Sequence, residues 1–146
     1  MCLTINKNNL KPIAAEQDIV CYKVLRKQLY NGALLAPIYS FEYDFDVIYG
    51  THEEYFEHAS ICDDGRVLAE YGFHSFSSLS DAVRMKERLL DITLNCFEFV
   101  VVKCTIPNGA RFYIGKQTFS WNEDNSPDGY CSEAIRIDEI VNENKE

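Results

Sequence analysis

Tyr39-Ser40-Phe41-Glu42-Tyr43-Asp44-Phe45-Asp46-Val47-Ile48-Tyr49 carries the clearest periodic signal in the chain. Tyr39, Phe41, Tyr43, Phe45, Val47 and Tyr49 fall on every second position, with Ser40, Glu42, Asp44, Asp46 and Ile48 between them. Strand side chains alternate between faces, so this spacing predicts one aromatic face on a core and one acidic face in water. Phe41 is expected inside and Asp44 outside, and Gly50 ends the segment. Such a half-buried strand belongs to an antiparallel sheet. The fold class expected around it is α+β: a mostly antiparallel, aromatic-rich sheet with one main helix packed on it.

Working outward, Ile19-Val20-Cys21-Tyr22-Lys23-Val24-Leu25 is β-branched and apolar and reads as a buried strand. Thr51-His52-Glu53-Glu54 has the form of a capping box, predicting a short helix from about His52 to Ser60. Val67 to Phe76 reads as a strand region interrupted at Gly72. Ser78-Leu79-Ser80-Asp81 is a second capping box and opens the best helix, 79–94, with Leu79, Ala82, Val83, Leu89, Leu90 and Leu94 on its apolar face. Phe97 to Ile106 reads as the most buried strand. Pro107-Asn108-Gly109 is a compact turn, which predicts a hairpin into Arg111-Phe112-Tyr113-Ile114. A polar turn over Asn122 to Gly129 and a final strand from Glu133 to Ile140 complete the reading. Five to seven strands are expected in a single domain, 1–146, with an irregular lead-in over 1–17 and a frayed tail over 142–146.

The composition agrees with one globular unit. A chain of 146 residues that is 47% apolar and 13% aromatic can bury a core without staples, and its aromatics favour strands. The net charge is -9, and nine acids against Arg66 alone lie between Glu42 and Glu70. No basic stripe is present to neutralise phosphates, so neither nucleic acid nor an anionic membrane is an expected partner. A basic protein partner meeting the Glu42–Glu70 region is. The six cysteines show no CxxC spacing, and no leader-like segment opens the chain. Free thiols and a cytoplasmic location are expected.

Candidate chemistry is sparse. Asp124-Asn125-Ser126-Pro127-Asp128-Gly129 has the alternating oxygens of half a calcium loop, but Ile135 stands where the bidentate Glu belongs, so a Pro-Asp-Gly turn is the better reading. His52, His58 and Cys62 are too few and wrongly spaced for a zinc site. Neighbouring carboxylates on the face of Glu42, Asp44 and Asp46 stand about 7 Å apart along a strand, too far to chelate one ion. No metal and no cofactor is expected. His74 among Ser75, Ser77 and Ser78 is the densest set of titratable and nucleophilic groups, and it precedes a helix N-terminus.

Three segments carry a resemblance. Asp18 to Leu25, Gly72-Phe73-His74-Ser75-Phe76 and Ile106-Pro107-Asn108-Gly109-Ala110-Arg111-Phe112-Tyr113-Ile114-Gly115 resemble the CYKVL-, GFHSF- and IPxGxxYYxG-like segments of an uncharacterised family of short bacterial and phage proteins. That likeness implies a bacterial or phage cytosol and brings no activity. A second likeness is to the ADP-ribosyltransferase fold, which implies that Arg26, Ser75 or Ser77, and Glu133 take catalytic places. The chain departs from that pattern at Tyr22-Lys23-Val24, in lacking a Ser-Thr-Ser triplet, and at Cys131-Ser132-Glu133. The function expected is therefore a non-catalytic binding or interaction module. The alternative is an ADP-ribosyltransferase-like enzyme or nucleotide-binding protein with its site near Gly72–Ser78 and Glu133. The enzyme reading requires His74, a hydroxyl and Glu133 around one concave pocket.

Overall fold

The computed structural model describes residues 3–5, 11–37, 41–51, 53–57, 59–61, 66–117 and 126–142. The calls on Tyr39, His52, His58, Cys62 and Asp124-Asn125 lie outside the described residues, as do those on 122–123 and the tail from 143 onward. Two strands, β1 (Leu3–Ile5) and β2 (Ile13–Ala14), come from the stretch expected to be irregular, and Leu3 is fully buried. Then follow β3 (Ile19–Lys27), β4 (Leu34–Leu35), β5 (Glu42–Tyr43) and β6 (Ile48–Gly50). Next come α1 (Glu53–Phe56), β7 (Ser60–Ile61), β8 (Val67–Ala69) and β9 (Phe73–Phe76). The chain finishes with α2 (Leu79–Ile92), β10 (Glu98–Ile106), β11 (Arg111–Gln117), β12 (Asp128–Ser132) and β13 (Ala134–Ile140).

The strands join in the order β6-β13-β10-β3-β9-β12-β11-β1-β8-β7, with β2 against β11 and β4 between β3 and β5. Every ladder is antiparallel, and Phe45 makes an isolated parallel bridge to Ile137. The strand number exceeds the expected five to seven because many edge pieces are two or three residues long. β3 pairs with β10 along its whole length, from Ile19↔Ile106 to Lys27↔Glu98. On its other side β3 meets β9 only at Tyr22↔Phe76 and β4 only at Arg26 and Lys27.

The alternating aromatic segment is not one strand. Asp46 adopts a left-handed backbone (φ 61°), and this breaks the run between β5 and β6. Alternation therefore fails: Tyr43 is buried, but Phe41, Phe45 and Val47 are exposed. Tyr43, Phe41 and Tyr49 still gather edge to face, with ring centroids 4.8–5.5 Å apart. The 107–109 turn is also real, yet β10 and β11 do not pair. Gly109 N–H donates to the Ala15 carbonyl and Ala15 N–H to the Ala110 carbonyl. The turn thus docks on the chain just after β2, and β11 departs to pair with β12, β1 and β2.

Alternation along β3 and β10 separates two apolar layers. Cys21, Leu25, Val102 and Cys104 face a core shared with Ile135 and Ile137. Val24, Phe99 and Val101 face the opposite way, against Phe76 and helix α2. A third cluster joins Leu3, Ile5, Phe56, Val67, Tyr113 and Cys131. Ser78 caps α2 as the sequence predicts, its hydroxyl accepting from Asp81 N–H at 3.3 Å. The helix buries Ala82, Met85 and Leu89. Its end differs from expectation: Leu94 and Asn95 take left-handed φ values of 52° and 59°, which swings Leu94 into solvent at 81% exposure.

Met85→Ala should therefore cost about 2–5 kcal/mol, as for other buried large-to-small truncations. Leu94→Ala should stay within about 0.5 kcal/mol of neutral. Urea unfolding of the two variants measures this, and similar losses from both would contradict the helix placement.

Candidate functional site

β3 and β9 form a fork. They touch at Tyr22 and Phe76 and then separate, because β9 continues alongside β12 while β4 takes up the far end of β3. Between these two attachments the edge of β3 from Lys23 to Leu25 has no strand beside it among the described residues. Gly72 sets the departure of β9. Its φ of 148° suits glycine, and a Cβ there would lie 2.8 Å from both Cys131 Sγ and the Ser132 carbonyl oxygen.

The fork encloses a half-open cleft of about 190 Å³. Val24, Phe76, Met85 and Leu89 form its apolar end, with Phe73, Ala36 and Pro37 alongside. Its polar side consists of Lys23, Tyr43, Glu70 and His74. Lys23 projects from the apolar first part of β3, Ile19–Leu25, and is only 9% exposed. Its Nζ donates to the His74 carbonyl oxygen and sits 5.7 Å from the centre of the Tyr43 ring. No carboxylate pairs with it among the described residues. The lysine thus caps a carbonyl that a continued β3–β9 ladder would have given a backbone donor.

His74 is the one sequence-predicted candidate that lines the cleft. Burial, and after it the Lys23 charge, pull its imidazole down to about 3, so the ring is neutral at physiological pH. Its Nε2 lies 3.4 Å from the Glu70 carbonyl oxygen and 4.0 Å from Cys131 Sγ. Nδ1 is buried without a partner among the described residues. Glu70 is exposed at the rim, and its carboxylate accepts from Ser60 Oγ at 3.1 Å.

Arg26, Ser75, Ser77 and Glu133 do not line this cleft. The Arg26 guanidinium lies 5.0 Å over the Phe97 ring. Ser75 is buried, its hydroxyl unpartnered among the described residues, and Ser77 Oγ donates to the Asp128 carbonyl at 3.4 Å. Glu133 sits at the corner between β12 and β13 and is clamped by Arg111. Its carboxylate accepts from Arg111 N–H at 2.7 Å, Nη2 at 2.9 Å and Nε at 3.2 Å, and Arg111 Nη1 also reaches Glu57. Burial works to raise the Glu133 carboxyl, but these hydrogen bonds outweigh it and hold the pKa below the ordinary value. The same bonds hold the Arg111 guanidinium protonated. Among the described acids of the Glu42–Glu70 region, Glu42, Asp44 and Asp46 are exposed, whereas Glu57 is taken by Arg111.

Sequence reasoning passed over Lys23 and Glu70. The signal for Lys23 was present: a single lysine at an inward position of a buried strand, where a charge is tolerated only with a partner or a purpose. No cluster of metal-ligating side chains occurs among the described residues, and no described helix is long and apolar enough to cross a membrane. Cys21, Cys96, Cys104 and Cys131 are free thiols. Comparison with family models, curated proteins and solved structures finds no match to this chain.

The His74 environment sets a pH dependence. Below the ordinary value of 6.5 the unfolded chain binds a proton at this ring, whereas the folded chain refuses it down to about 3. Its contribution is present above pH 6.5 and is lost as pH falls, with a slope of at most about 1.4 kcal/mol per pH unit. Urea midpoints at pH 7 and pH 5 should therefore fall more for the native chain than for His74→Gln. Equal declines would contradict a neutral His74.

Proposed function

We propose that this chain is a non-catalytic binding module whose fork cleft takes a small ligand with an apolar body and one negative charge. The observation that carries this reading is Lys23. The ammonium of a lysine nine-tenths buried as a residue, which among the described residues meets a carbonyl and a ring face, keeps the capacity for a charge-assisted hydrogen bond to an anion. The apolar end supplies the rest of a typical small-molecule site, which is mostly hydrophobic with a few convergent polar groups. The neutral state of His74 leaves Lys23 as the positive charge inside the cleft. The reading is also supported by Glu133: a carboxylate already saturated by Arg111 is poorly placed to act on a substrate, which weighs against the ADP-ribosyltransferase-like alternative.

Calorimetric titration with benzoate and 3-phenylpropionate tests the proposal. Both should bind, and Lys23→Met, which keeps the apolar stem, should weaken them by about ten- to a hundredfold, the scale of about 1.5–3 kcal/mol for a hydrogen bond to a charged group. Unchanged affinity in Lys23→Met would overturn the proposal. So would a thermal shift of several degrees with NAD that Glu133→Gln abolishes, which would install the enzyme reading instead.

A further inference from the structure

The bonding pattern of β3 singles out one residue in the fork. In an antiparallel sheet the backbone groups of a strand point to its two edges in turn, residue by residue. Just past the end of β3, Gln28 N–H donates to the Ala33 carbonyl on the β4 side. β3 pairs with β10 without a register break, so counting back by twos sends the N–H and C=O of Arg26, Val24 and Tyr22 to that same edge. Arg26 meets Leu35 there and Tyr22 meets Phe76. Between them Val24 faces no opposite residue among the described residues. A continued ladder would set it against His74 and send its N–H to the His74 carbonyl, the oxygen that Lys23 Nζ takes instead. Val24 is 4% exposed and lines the cleft. A buried N–H and C=O in this position call for a partner that both accepts and donates.

Resting on the proposed ligand site, we infer that its occupant is the free C-terminus of an extended apolar peptide, whose last residue is the apolar body with the negative charge. A carboxylate alone accepts and does not donate, so it leaves the Val24 carbonyl unmatched. A peptide residue laid opposite Val24 offers its own N–H and C=O and exchanges both bonds, as in an antiparallel ladder. The terminal carboxylate goes to Lys23, whose ammonium has donors beyond the one given to His74 and would repel an amino terminus. The two walls of the cleft also fit a strand. Val24, Phe76, Met85 and Leu89 belong to the apolar layer on the α2 face of β3, whereas Tyr43, Ala36 and Phe73 belong to the layer on the other face. Successive side chains of an extended chain point to opposite faces, so neighbouring peptide residues each meet an apolar wall. The open side of the cleft leaves a way out for the rest of the peptide.

Calorimetry with acetyl-Ala-Val-Phe, its C-terminal amide, 3-phenylpropionate and two singly N-methylated peptides tests this inference on the whole chain. The free-acid peptide should bind about tenfold or more tightly than 3-phenylpropionate, which keeps the ring and the charge but has no peptide group. Amidation should cost about tenfold in the native chain and less than about threefold in Lys23→Met. Adjacent N–H groups of a strand face opposite edges, so N-methylation at either the valine or the phenylalanine of the peptide should remove the bond to Val24 and weaken binding about tenfold. If the peptide binds no more tightly than 3-phenylpropionate, or if neither N-methylated peptide is weakened, the peptide inference falls and the anion site stands. If the amide matches the free acid in the native chain, no C-terminus is read and the inference falls. If neither the peptide nor 3-phenylpropionate binds, both readings fall.

Discussion

The hydrogen bond from Lys23 Nζ to the His74 carbonyl spans the place where two strands part. β3 lies in the interior of the sheet, paired with β10 from end to end, but on its opposite edge it keeps β9 for the single pair Tyr22↔Phe76. Past that pair the ladder opens, and buried backbone groups on both edges require partners. A lysine ammonium can reach across such a gap where a backbone amide cannot. The cleft and its charge follow from that contact. Burial is the main reason the His74 imidazole stays neutral, and the nearby ammonium adds to it by disfavouring a second positive charge.

The surrounding elements hold the fork open. Helix α2 packs Met85 and Leu89 beneath it on the layer that includes Val24 and Phe76, so the apolar end rests on a capped and well-buried helix. Gly72 lets the chain turn into β9 with backbone and thiol packed too closely for any side chain. β4 blocks the far end of β3 and brings Tyr43 over through β5. Away from the cleft, the Arg111–Glu133 clamp stabilises the β12–β13 corner. Sharing several hydrogen bonds between one guanidinium and one carboxylate gives that pair a fixed geometry, which looser surface ion pairs lack.

The parts of this architecture that local chemistry determines were legible in the sequence. The apolar run of β3, the capped helix at Ser78 and the buried strand β10 all appear where their residues predict them. The aromatic segment was misread because its alternation is broken by a left-handed residue at Asp46, whose N–H bonds the distant Ile137 carbonyl. The Pro107-Asn108-Gly109 turn was recognised, but its strand pairing was not, because the partners of the turn come from Ala15 and its neighbours. At the site, His74 was visible as a candidate. The pairing of Glu133 with Arg111 was not, since it depends on which strands lie side by side. Lys23 was readable only as an anomaly, a charge inside an apolar strand, until the divergence of β9 gave it a cleft to face.

The central claim is that the opening between β3 and β9 is where a ligand sits. Met85 gives the most direct test, because the chain has two methionines and Met85 lines the apolar end of the cleft. In a carbon-labelled methionine-methyl spectrum titrated with 3-phenylpropionate, the Met85 signal should move saturably. Saturable binding seen by calorimetry with the Met85 signal unmoved would contradict the account, because the ligand would then occupy some other surface.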